Sequence, residues 1–192
     1  GIIAILFFML FYRFGEAMVA KMSPLFLKGL PSEGGIGMDN EKLALVKGVV
    51  GVGGIIVGGI LGGYFIGKRG LKRSLWALAV VMHAPILLYL WASIARPEPT
   101  GAGLIALATV DFVDQFGYGF GFAGYYVILF RIAQRGSFVT SHFAIGTGLG
   151  ATFIALAGVT SGVLQKQFGY VGFFAAAMLL TIPGMISMFF VP

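Results

Sequence analysis

Cysteine is absent from the 192 residues, and with it go disulfide bridges, thiol nucleophiles and thiolate metal sites. Charge is also scarce: Asp, Glu, Lys and Arg make up 10% of the chain, against about a quarter in an ordinary globular domain. The two histidines lie far from the acids in sequence, and neither a nucleophile elbow nor zinc-ligand spacing occurs. No catalytic residue, metal ligand or cofactor is therefore expected.

What is present is apolar. Hydrophobic residues form 58% of the chain and mean hydropathy is +0.96. Thirteen basic and seven acidic side chains cannot cover a water-soluble core of that size, so lipid is the expected solvent. The net charge of +6 would suit nucleic acid, but the basic residues sit in short connections between apolar runs. Anionic lipid and membrane orientation account for them there, and nucleic acid is not expected as a partner. The chain opens without Met inside an apolar run, which reads as a fragment of something longer.

Crossing about 30 Å of hydrocarbon takes roughly 20 helical residues. Six runs of suitable length appear, at 2–27, 43–66, 74–95, 101–130, 138–164 and 169–191. Their continuity favours an all-α membrane bundle over a barrel, whose strands alternate over about ten residues. The connections after the second and fourth runs concentrate Lys68, Arg69, Lys72, Arg73, Arg131 and Arg135. Those on the other side dilute Lys28, Lys42, Lys47, Arg96 and Lys166 with Glu33, Asp39, Glu41 and Glu98. The first set is placed in the cytoplasm, and an even number of spans puts both termini there too.

Thirty-one glycines fit a bundle whose helices approach backbone to backbone. Gly54, Gly58 and Gly62 form one ridge and Gly59, Gly63 and Gly67 another; Gly117 with Gly121 and Gly146 with Gly150 are shorter versions. Pro24, Pro85 and Pro183 are expected at kinks or helix ends.

Ionised groups inside hydrocarbon cost roughly 2.5–3.5 kcal/mol each, so those within the runs must face protein or water. Arg13, Glu16 and Lys21 interrupt the first run, and Asp111 and Asp114 the fourth. Arg13 and Glu16 share a helix face, as do Asp111 and Asp114 with Gln115 beside them. These five residues are the candidate substrate and proton pathway, Asp111 or Asp114 for the proton and Arg13 for a substrate carboxylate or an ion pair. A purely structural set of ion pairs is the competing reading, and it would suit a six-helix channel or a self-assembling scaffold. His83 and His142 read as polar packing contacts, with a proton relay as the alternative, and Tyr12, Tyr118, Tyr125 and Tyr126 as packing that could also stack on a sugar. Residues 14–16 faintly echo 116–118, and the charged runs are each first in a triplet; both fit a 3+3 inverted repeat.

Gly63, Lys68, Gly70, Lys72 and Arg73 resemble the cytoplasmic loop motif of the major facilitator superfamily, with Gly67 standing where that motif has Asp. Residues 12–17 and 116–148, including the stretch 137–144, resemble the muropeptide permease branch of that superfamily. The resemblance implies the C-terminal six-helix half of a twelve-helix permease. It also implies proton-driven import of cell-wall disaccharide peptides across the bacterial inner membrane. The partners it implies are the bilayer, protons, a small solute and the N-terminal half.

Overall fold

The computed structural model describes residues 2–190, and among these every regular element is helical. Val191, the end of the last expected run, and both chain termini lie outside the described residues.

The first run is two helices in series, α1 (Ile2–Phe11) and α2 (Phe14–Lys28), separated by a turn at Tyr12 and Arg13. Pro24 lies inside α2 without ending it, whereas it was expected at a kink or helix end. The connection that follows folds back over the end of α2. Ile36, Gly37 and Met38 donate backbone hydrogen bonds to Phe26, Gly29 and Leu27, which buries Ile36 and Met38. Asp39 caps α3 (Asn40–Leu43) by accepting from the Lys42 backbone. The Lys42 side chain, more than its backbone N–H, holds the Asp39 carboxyl below its ordinary range.

From α3 the helix passes without a break through a π-helical stretch, Ala44–Gly51, into α4 (Val52–Arg69). Gly70, at φ +78°, then turns the chain into α5 (Leu71–His83). That conformation is open to glycine and strained for other residues, which explains a glycine at this place in the loop motif. Ala84 and Pro85 interrupt the helix before α6 (Ile86–Ala95), because proline cannot donate the missing backbone bond. Next come α7 (Gly101–Ala133), α8 (Val139–Leu179) and α9 (Ile182–Ser187).

A turn was expected at 165–168; instead α8 runs through those residues and bends at Gly169 alone, where φ is +66° and ψ −175°. Pro183 sits in the first turn of α9, where its lost N–H has no intrahelical partner to miss. Among the described residues four rods are long and apolar enough to cross a membrane: Asn40–Arg69, Leu71–Ala95, Gly101–Ala133 and Val139–Ser187. The molecule is an all-α integral membrane protein.

Glycine decides how the rods pack. Gly54, Gly58 and Gly62 are buried against α7, where a β-carbon would strike the backbone of Phe112, Phe116 and Phe120. Gly117 and Gly121 seat α7 on α5, where a β-carbon would strike the Val81 carbonyl and the Met82 side chain with the Leu78 carbonyl. The second ridge is different: a β-carbon on Gly63 or Gly67 would meet nothing within 4 Å, because α4 has only one face turned to α7.

Gly58→Val should therefore lower stability by about 1–3 kcal/mol through overpacking. Gly63→Val should stay within about 0.5 kcal/mol of the parent. Thermal unfolding in detergent compares the two.

Candidate functional site

Two apolar clusters fill the bundle. One contains Met18, Phe26, Tyr89, Val110 and Phe174; the other contains Phe8, Tyr12, Met82, Tyr125 and Leu129. Three helical tracts pass from one cluster to the other, and each places polar residues at the crossing. Arg13 and Glu16 lie between Tyr12 and Met18, His83 between Met82 and Ile86, and Asp111, Asp114 and Gln115 between Val110 and Tyr125. The result is a polar layer inside an oily bundle.

Asp111 is fully buried and is the best-satisfied acid of this layer. Its Oδ1 accepts from Lys47 Nζ at 2.6 Å and from the Tyr89 hydroxyl at 2.6 Å. Lys47 also donates to Ser23 Oγ at 3.1 Å, so one ammonium links α2, the π-helical stretch and α7. On the other side Oδ2 has no hydrogen-bond partner among the described residues and lies against Gly51, where a β-carbon would be only 2.6 Å away. Glycine at 51 is what lets the carboxylate sit between the two helices.

Asp114 is equally hidden and receives one hydrogen bond, from Gln115 Nε2 to Oδ2 at 3.0 Å; its Oδ1 has no partner among the described residues. Glu16 is 1% exposed, and neither of its oxygens has a partner among them. A buried ionised carboxylate without a counter-charge or donors is expensive. The three acids of this layer are thus unequal: one is neutralised by a lysine, and two are not.

Arg13 behaves differently from the ion pair considered above. Among the described residues it forms no salt bridge. Its guanidinium lies 4.1 Å from the Phe122 ring centre and 5.4 and 5.3 Å from those of Tyr118 and Tyr125. Its Nη2 donates to the Tyr118 hydroxyl at 2.8 Å. Arginine over aromatic faces gains about 0.5–2 kcal/mol, which offsets part of its desolvation. The same group opens on a pocket of about 210 Å³ shared with Tyr126, Thr147 and Gly150. A cleft of about 470 Å³ lies in the same seam between α1, α7 and α8, with Leu6, Met9 and Leu149 in its walls and Arg135 and His142 among its lining.

His83 is buried edge-on to Tyr12, and neither ring nitrogen has a partner among the described residues. His142 is exposed at the start of α8. In the loop motif, Lys68, Gly70, Lys72 and Arg73 are exposed around the turn at Gly70, far in sequence from the polar layer, and Gly63 lies on the open face of α4.

By its place in the sequence Lys47 falls among the connection charges, and Gly51, Ser23 and Tyr89 carry no charge that marks them. A signal exists for Lys47 and Gly51. Lys47 lies seven residues before Gly54, two helical turns, and so falls on the face of the Gly54, Gly58 and Gly62 ridge, as does Gly51.

The fold and its polar layer define an integral membrane protein with a protected polar interior, and comparison with known proteins narrows this to a transporter relationship. No family model matches the chain. The anhydromuropeptide permease of Escherichia coli K12 is 24% identical over 182 residues, which cover 95% of this chain and 35% of that protein. A transporter named AmpG 1 of Rickettsia felis is 22% identical over 96% of this chain and 39% of its own length. An uncharacterized protein of Haemophilus influenzae is 27% identical over 98% of this chain and 43% of its own. The chain is thus a distant relative of the anhydromuropeptide permeases along nearly its whole length, and spans between 35 and 43% of these relatives.

Tyr89→Phe deletes one donor to Asp111 and should cost about 1.5–3 kcal/mol, the range for a hydrogen bond to a charged group. Tyr118→Phe, at a partly exposed site, should cost less. Denaturation of the purified protein in detergent measures both.

Proposed function

We propose that this chain is the C-terminal six-helix half of a major facilitator permease, which imports a small polar solute across a bacterial inner membrane by proton-coupled alternating access. The observation that carries the reading is the pair of buried carboxylates, Glu16 and Asp114, that no cation or full set of donors satisfies. Charges inside membrane helices line ion and substrate paths by default. A carboxyl that alternates between a neutral buried state and an ionised wetted state is a means of carrying a proton between conformations.

The six spans are α1 with α2, α3 through α4, α5 with α6, α7, α8 up to its bend at Gly169, and the remainder through α9. They form two triplets, each led by a charged span, in the inverted arrangement of transporters that place their site between repeats. The greater length of the relatives leaves room for a second bundle of similar size. Exposed apolar side chains on the π-helical stretch and α4, such as Val49, Ile56 and Ile60, and on α8, such as Val159 and Val163, suit contact with that bundle or with lipid. The basic connections after α4 and α7 are assigned to the cytoplasm, with both termini.

For the solute, the name of the Escherichia coli relative supports an anhydromuropeptide. Arg13 offers a cation for a carboxylate, and Tyr118, Phe122 and Tyr126 around the same pocket offer flat faces for a sugar.

The test is uptake of a labelled anhydromuropeptide by the full-length protein in liposomes. An inward proton gradient should drive accumulation, and Glu16→Gln or Asp114→Asn should abolish accumulation while leaving downhill solute exchange. Accumulation that ignores the gradient, or survives both substitutions, removes the proton assignment. Flux that only ever equilibrates points to a channel.

A further inference from the structure

We propose that Lys47 is a built-in counter-ion that withdraws Asp111 from proton exchange and leaves Glu16 and Asp114 as the carriers. It rests on the transport reading above and assigns a positioning role within it. The titratable groups that face this layer come from four elements: Glu16 from α2, Lys47 from the π-helical stretch, Tyr89 from α6, and Asp111, Asp114 and Tyr118 from α7. Arg13 approaches from the turn before α2 and is already engaged with aromatic rings.

The geometry fixes the lysine on one acid. Lys47 Nζ and the Tyr89 hydroxyl both donate to the same oxygen of Asp111, each at 2.6 Å, and Ser23 takes a second donor of the ammonium at 3.1 Å. Gly51 closes the far side of the carboxylate without intruding on it. The Asp111 carboxyl is fully buried while the Lys47 side chain is 21% exposed. An ionised Asp111 therefore has its compensating charge in place, and a proton on it would forfeit that charge-assisted contact. Among the described residues neither Glu16 nor Asp114 forms an ion pair, and Asp114 accepts a single hydrogen bond, from Gln115. The lysine also emerges from π-helical backbone, a rare geometry that is frequent at functional sites.

Removing the cation exposes its role. Lys47→Met leaves Asp111 buried without a counter-charge, so the aspartate becomes an additional proton site. Lys47→Arg keeps the charge and should keep the original proton set.

Infrared difference spectroscopy across pH, on the purified full-length protein without solute, reads protonated carboxyl groups directly through their C=O stretch. In the parent, the pH-dependent bands should disappear stepwise with Glu16→Gln and Asp114→Asn and be unchanged by Asp111→Asn. Lys47→Met should add one band, absent from Lys47→Met/Asp111→Asn and from Lys47→Arg. A parent band that Asp111→Asn removes overturns the proposal, as does a folded Lys47→Met protein with the parental spectrum. Should Lys47→Met not fold, the Asp111→Asn comparison alone decides. Absence of Glu16 and Asp114 bands in the parent would instead sink the proton-coupling reading, leaving the Lys47 result to stand or fall by itself.

Discussion

The cost of an ionised group in hydrocarbon governs this molecule more than any single contact. Each charged side chain within the apolar runs must be matched, turned toward a wet surface or carried neutral. The protein uses different solutions side by side. Asp111 is matched by Lys47; Arg13 is spread over aromatic faces beside a pocket; Glu16 and Asp114 are buried with little compensation. Their location between two apolar clusters concentrates all of this in one layer.

Glycine makes that layer possible. In lipid there is little hydrophobic drive between helices, so close packing has to come from small residues and van der Waals contact. The ridge of Gly54, Gly58 and Gly62 brings α4 onto the backbone of α7, and its continuation at Gly51 opens the space into which Asp111 fits. The packing device and the charge device therefore lie on one helix face. A larger residue at 51 would disturb both.

The relationship to anhydromuropeptide permeases and the buried acids come from independent observations, and they point to the same class of work. Transport coupled to protons needs carboxyls whose surroundings can change, while a stable bundle needs carboxyls whose surroundings do not. Asp111 is held by Lys47 and Tyr89, with Ser23 on the same ammonium, and the proposal gives the first character to Glu16 and Asp114. On the proposed reading, separating those roles among three neighbouring acids would let one bundle be held together and still respond to pH.

Composition established a membrane protein, because 58% apolar residues and so few charges leave no soluble alternative, and the continuity of the apolar runs made it helical. Local spacing also placed Arg13, Glu16, Asp111 and Asp114 on polar faces and Gly54, Gly58 and Gly62 on a packing ridge, since helical periodicity is a property of the chain itself. The partner of each group was not legible. Lys47 sits 64 residues from Asp111, the turn at Tyr12 and Arg13 aims the guanidinium at rings on α7, and the bend after the fourth span's neighbour falls at Gly169 rather than at 165–168. Such pairings depend on which helix faces meet in space, and that is settled only when the rods pack together.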